Sequence, residues 1–164
     1  SAHPFINTEC TSAYSEAISR NFFVKSRSGD TQVNWWNSKV GAGHVDFTNL
    51  EAFNWFKDRL ENLKNDFNID AFMFYGGESD LQPEDPVLRG GQSLSPSLNT
   101  LKYLEVAASF GNSSSVGTGW STQDYNNWLR MPDFDSRWDE SGLKSVIPTL
   151  LQLNLNGYGF IQPR

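Results

Sequence analysis

With 164 residues, 38% of them hydrophobic and 20% charged, the chain is long enough to bury a sizeable core and too apolar for a disordered tail. A formal charge of −6, with no cluster of Lys or Arg, excludes the basic footprint that a nucleic-acid partner requires. No apolar run approaches the roughly 18 residues of a membrane span, so membrane attachment is expected only through sequence outside this segment.

In chain order, "AHPFIN" (2–7) reads as a short apolar run ending in a polar turn, and residues 11–23 carry a helical stripe of Tyr14, Ala17, Ile18 and Phe22. Residues 28–44, rich in Gly, Asn, Ser and paired Trp, read as a loop that folds as a hairpin, and "HVDF" (44–47) as an extended piece. A helix is predicted over about 49–67, opened by a Thr48/Glu51 capping box and burying a face of Phe53, Phe56, Leu60, Leu63 and Phe67. "IDAFMFY" (69–75) follows as a strand closed by Gly76 and Gly77. After a Pro- and Gly-rich loop, Ser95-Pro96 opens a second helix that ends at Gly111. "SSVGTGW" (114–120) is a strand, an apolar helix over about 142–155 contains Pro148, which kinks it or marks its first turn, and "GYGFIQP" (157–163) is a last strand. Strand–helix alternation joined by crossovers predicts a parallel sheet of the α/β class, either an open doubly wound sheet or part of a β/α barrel.

The candidates for chemistry are carboxylates at the ends of predicted strands: Glu78 after 69–75, and Asp133 and Asp135 in "PDFDSRW". Two carboxylates from different strands are what glycoside hydrolysis needs, although a loop carboxylate is ordinarily solvated or a cap. Six Trp and twelve Phe are many for this length, and "NWWN" (34–37) offers indole faces that suit a sugar ring. His3 and His44 have no ligand spacing, Cys10 is alone, and no phosphate-binding or dinucleotide glycine loop is present; neither a metal nor a cofactor is expected. "NSS" at Asn112 is a glycosylation sequon and points to the secretory route, extracellular or at the cell surface. The N-terminal "SAHPFIN" has neither an initiator Met nor a signal pattern, which reads as a mature, processed or excerpted chain.

Taken in order, "HPFIN", "WWNSKVGAGHVDFTNLEAFNWFKDRL", "IDAFMFYGGE", "DFDSRW" and "GLKSVIPTLLQLNLNGYGFIQP" resemble the landmarks of glycoside hydrolase family 31 over nearly the whole chain. Within it they most resemble the branch that contains the myogenesis-regulating glycosidase and the SITS-binding protein. The resemblance implies part of a (β/α)8 TIM barrel, from about the third strand at "HPFIN" through the fourth (69–75), fifth (114–119) and sixth (near 131–134) to the seventh (158–161). A whole barrel takes about 250 residues, so a segment of a larger polypeptide is expected, with unpaired sheet edges and uncovered apolar helix faces.

The same resemblance implies a retaining α-glycosidase in which Asp133, five residues before Trp138, is the acid/base. Trp36, Glu78 and Trp138 match sugar-site residues. Tyr75 stands in the place of the nucleophilic Asp, Met73 replaces the usual Lys, Asp139 stands where relatives often have Gly, and Ser115 where the near branch has Arg. A neutral phenol is a poor substitute for a carboxylate that must meet the anomeric carbon. Three functions follow: a pseudoenzyme that binds carbohydrate or protein, an active glycosidase with a substituted nucleophile, or a scaffold in an extracellular or cell-surface assembly.

Overall fold

A computed structural model of the chain describes residues 1–34, 40–91 and 97–163. Its elements are β1 (Phe5–Asn7), α1 (Thr11–Ser19), β2 (Gln32–Val33), β3 (Ala42–His44), α2 (Leu50–Phe67), β4 (Met73–Phe74), α3 (Ser97–Ser109), β5 (Ser115–Val116), β6 (Trp128–Arg130), α4 (Val146–Leu155) and β7 (Ile161–Gln162). The strands β4-β5-β6-β7 form a parallel sheet in that order, with α3 as the crossover from β4 to β5 and α4 from β6 to β7, so the α/β class holds. Ala2 pairs in parallel with Phe74 on the other side of β4, through bonds from its N–H to Met73 O (2.7 Å) and from Tyr75 N–H to its own carbonyl (2.9 Å).

The expected third barrel strand is therefore represented at Ala2 alone. Phe5–Asn7 leaves the parallel sheet and joins an antiparallel one, β1-β3-β2, whose β2–β3 pair is the hairpin read in 28–44. The sixth strand also lies earlier than the landmarks implied. It is Trp128–Arg130, and Asp133 falls in the loop beyond it.

The helices depart from pattern in ways that tertiary contacts explain. In α2 the N-cap is Asn49, whose side chain accepts the Glu51 N–H at 3.1 Å; the Thr48 hydroxyl donates to Asp46 instead, so the Thr48/Glu51 capping box does not form. The buried stripe of α2 is Ala52, Trp55, Phe56 and Leu60, while Leu63 and Phe67 are exposed. The first helix stops at Ser19, because Asn21 takes a left-handed φ of 54° and turns the chain so that Phe22 enters the core. Pro148 sits in the first turn of α4, the second of its two expected places, whereas Ser95 and Pro96 lie outside the described residues.

The core lies between the sheet and α2/α3. Phe72 and Phe74 point into it, and Phe74 packs with Tyr103 and Phe110. Asn99, fully buried on α3, accepts from Phe47 N–H (2.7 Å) and donates to Val45 O (3.0 Å), so it carries α3 onto the chain leaving β3. Burial thins toward the other end, where Ile147, Leu151 and Leu155 of α4 are exposed. No helix among the described residues is long and apolar enough to cross a membrane.

His44 is buried and stacks on Phe5 at 4.7 Å. Burial lowers its pKa to about 3, so it is neutral in the fold while the unfolded chain takes up a proton near pH 6.5. Its contribution is therefore whole above pH 6.5 and is lost as the pH falls toward 3, at about 1.4 kcal/mol per pH unit. Urea unfolding of the full-length protein at pH 7 and pH 5 is expected to show a stability loss roughly 2 kcal/mol larger than that of a His44→Leu variant.

Candidate functional site

The turn after β4 is built on two glycines. Gly76 has φ +68°, and a Cβ on Gly77 would lie 2.5 Å from the Tyr103 ring. From below, the Tyr103 hydroxyl donates to Tyr75 O at 2.8 Å and the Thr100 hydroxyl to Gly77 O at 2.6 Å. Burial, with the Glu78 carboxylate adding to it, pushes the Tyr103 phenol well above its ordinary pKa, so it stays a donor.

Beyond this turn lies a cleft of about 310 Å³ at the carboxyl ends of β4, β5 and β6. Tyr75, Glu78, Asp80, Gly117, Arg130 and Asp133 are among the residues lining it. This is where parallel α/β sheets and barrels bind ligands. Strand alternation sends Phe72 and Phe74 into the core and Ala71, Met73 and Tyr75 to the opposite face.

Register then decides what Tyr75 meets. Phe74, Val116 and Leu129 are level across the sheet, so the next row runs Tyr75, Gly117, Arg130. Gly117 has no side chain to stand between its neighbours. The Arg130 guanidinium lies 4.8 Å from the centre of the Tyr75 ring and donates to both the Tyr75 hydroxyl and Met73 Sδ. The Tyr75 hydroxyl in turn donates to Met73 Sδ at 3.3 Å.

A model of the glycosyl hydrolases family 31 TIM-barrel domain matches residues 1–163. The chain belongs to glycoside hydrolase family 31. Among curated relatives it is similar to the myogenesis-regulating glycosidase of Mus musculus, 36% identical over 98% of this chain and 22% of the relative. It is also similar to the SITS-binding protein of Tetronarce californica, 27% identical over 78% of this chain and 18% of that protein. Among solved structures, a family 31 sulfoquinovosidase from E. rectale, in complex with an aza-sugar inhibitor, superposes with a TM-score of 0.80. It is 25% identical over 99% of this chain and 26% of that one. The chain thus spans about a fifth of the length of these curated relatives.

Within this family 31 domain, the structure brings Tyr75, Glu78 and Asp133 to one cleft. Trp138 does not line it; it is 73% exposed on a loop folded on itself by Arg137, which pairs with Asp135 (2.5 Å) and Asp139 (3.6 Å). Asp135 and Asp139 are spent in that loop. Trp36 lies outside the described residues. Asn112 is exposed on a turn, while Ser114 of its sequon is buried and its hydroxyl accepts the Phe72 N–H at 3.3 Å. Ser115 lies level with Met73, beside Ala71 and Trp128 rather than in the cleft. Among the described residues, no three His, Cys, Asp or Glu side chains converge as metal ligands.

Arg130 and Asp80 are cleft residues that sequence reasoning missed, and Arg130 is the one that meets Tyr75. The signal available was a cation at the end of a strand, three residues before Asp133.

The close seat of Gly77 on Tyr103 gives a direct check. Gly77→Ala is expected to destabilise the full-length protein by about 1–3 kcal/mol, because a core ring has to move. Gly159→Ala, where a Cβ meets nothing within 4 Å, is expected to stay within about 0.5 kcal/mol, both read by urea denaturation.

Proposed function

We propose that this family 31 domain binds carbohydrate in the cleft without hydrolysing it, as a pseudoenzyme of the secretory route or cell surface. The observation that carries the reading is the engagement of Tyr75 with Arg130 and Met73 at the place where the family resemblance sets the nucleophilic carboxylate. A retaining mechanism asks that position for an anion in reach of the anomeric carbon, about 5–5.5 Å from the acid. Tyr75 offers a phenol whose proton faces a thioether and whose oxygen accepts from a guanidinium. Asp133, Glu78 and Asp80 remain along the cleft and give it acceptors for sugar hydroxyls. The exposed Asn112 turn, which would admit a glycan, supports the secretory placement.

A second reading has one observation in its favour: Tyr75 and Asp133 line the same cleft, so a tyrosine nucleophile paired with an aspartic acid is conceivable on position alone.

Full-length protein incubated with aryl α-glucosides, α-galactosides and α-xylosides is expected to release no aryl alcohol above background. On a glycan array it is expected to retain ligands whose binding falls roughly tenfold in Asp133→Ala, the scale of one lost charge-assisted hydrogen bond. Turnover that disappears in Asp133→Asn would overturn the pseudoenzyme reading. Binding that ignores Asp133→Ala would move the function to a scaffold.

A further inference from the structure

A second hollow, of about 380 Å³, is lined by Asn21, Phe23, Lys25, Asp46, Val87 and Arg89 and shares no lining residue with the cleft. It exists because the loop after β4 folds back over the segment leaving α1. Val87 N–H donates to Lys25 O at 2.7 Å as an antiparallel bridge, and Arg89 N–H donates to the Asp46 carboxylate at 2.8 Å. The lining follows the alternation of that pairing, with Phe23 and Val87 supplying apolar surface and Lys25 and Arg89 supplying charge.

The Lys25 ammonium is held in place by its neighbour. Lys25 Nζ donates to Asn21 Oδ1 at 2.8 Å. Asn21 is itself pinned: its left-handed backbone donates to Ile18 O at 3.1 Å and accepts from Asn49 Nδ2 at 3.4 Å. Among the described residues neither Lys25 nor Arg89 joins an ion pair. The Asp46 carboxylate accepts from Thr48 N–H, the Thr48 hydroxyl and Arg89 N–H, which leaves about one of its four lone-pair positions. Lys25, Asn21 and Phe23 also border an adjoining hollow of about 230 Å³.

We propose that this hollow is a second saccharide site, which takes a pyranose bearing one anionic group, a uronate carboxylate or a sulfate ester. The anion sits between Lys25 and Arg89, ring hydroxyls meet Asp46 and Asn21, and the C–H face of the ring lies on Phe23 and Val87. The volume is within the range of small-molecule sites, about 300–1,000 Å³. An acidic peptide fits less well: it would set further carboxylates against Asp46 and bring no hydroxyl donors to it. The site is independent of what the cleft does.

Calorimetry on the full-length protein, with glucuronate, glucose, inorganic sulfate and a glutamate-rich peptide as probes, tests it. Glucuronate is expected to bind at least ~10-fold more tightly than glucose, and to weaken as salt rises. The double variant Lys25→Gln/Arg89→Gln is expected to lose at least ~10-fold for glucuronate at an unchanged melting temperature, since neither side chain holds an ion pair. In the Asp133→Asn background, where the cleft is weakened, the loss of glucuronate binding caused by the double variant is expected to be unchanged, which separates this site from the cleft. Equal binding of glucose and glucuronate, or glucuronate binding indifferent to the double variant, overturns the proposal. So does sulfate binding as tight as glucuronate, which would make this a bare anion site, or peptide binding tighter than glucuronate, which would make it a protein-docking site.

Discussion

The buried hydroxyl of Tyr103 is the contact on which the rest of the molecule hangs. It reaches the carbonyls of Tyr75 (2.8 Å) and Ala2 (3.4 Å), so α3, the end of β4 and the parallel partner of β4 are held through one atom. The ring fills the space between Phe47, Phe56 and Phe74, with centroids 5.1–6.3 Å away. A phenol taken out of water needs such a partner, and here the partners are the backbone groups that aim the cleft-lining turn. Core packing and site geometry are thereby the same event.

The parallel sheet with helical crossovers was legible because strand runs, turn glycines and three- and four-residue apolar spacings agree with one another. What was not legible depended on competition between distant groups. Thr48 and Asn49 are both cap-forming types, and Asp46 takes the Thr48 hydroxyl and leaves Asn49 to cap. Leu63 and Phe67 continue the stripe of α2 past the point where the core ends, and periodicity carries no information about where a neighbour stops. The departure of β1 into an antiparallel sheet likewise depends on β3, whose pairing partners lie far apart in sequence.

For the site, the strand-end rule located Glu78 and Asp133, because a parallel sheet brings its carboxyl ends together whatever else varies. Trp138 shows the limit of spacing: five residues beyond Asp133 fix its place in the chain, and Arg137 turns its loop outward. Arg130 needed register, which a sequence does not print. Only when Val116 is set level with Phe74 and Leu129 does a guanidinium arrive opposite a phenol across a glycine.

That row of Tyr75, Gly117 and Arg130 has a mechanical meaning besides its chemical one. The first and third strands of a sheet stand about 9.6 Å apart, twice the ordinary spacing. The Tyr75 phenol and the Arg130 guanidinium together span that distance. Tyr75 thus acts as a tie-rod from β4 to β6, laid over the bare backbone of β5. Tyr75 and Arg130 are in this sense one unit, since the span of each is set by the other and by the glycine between them. Their bond also joins the densely packed end of the sheet to the side where α4 lies open to solvent.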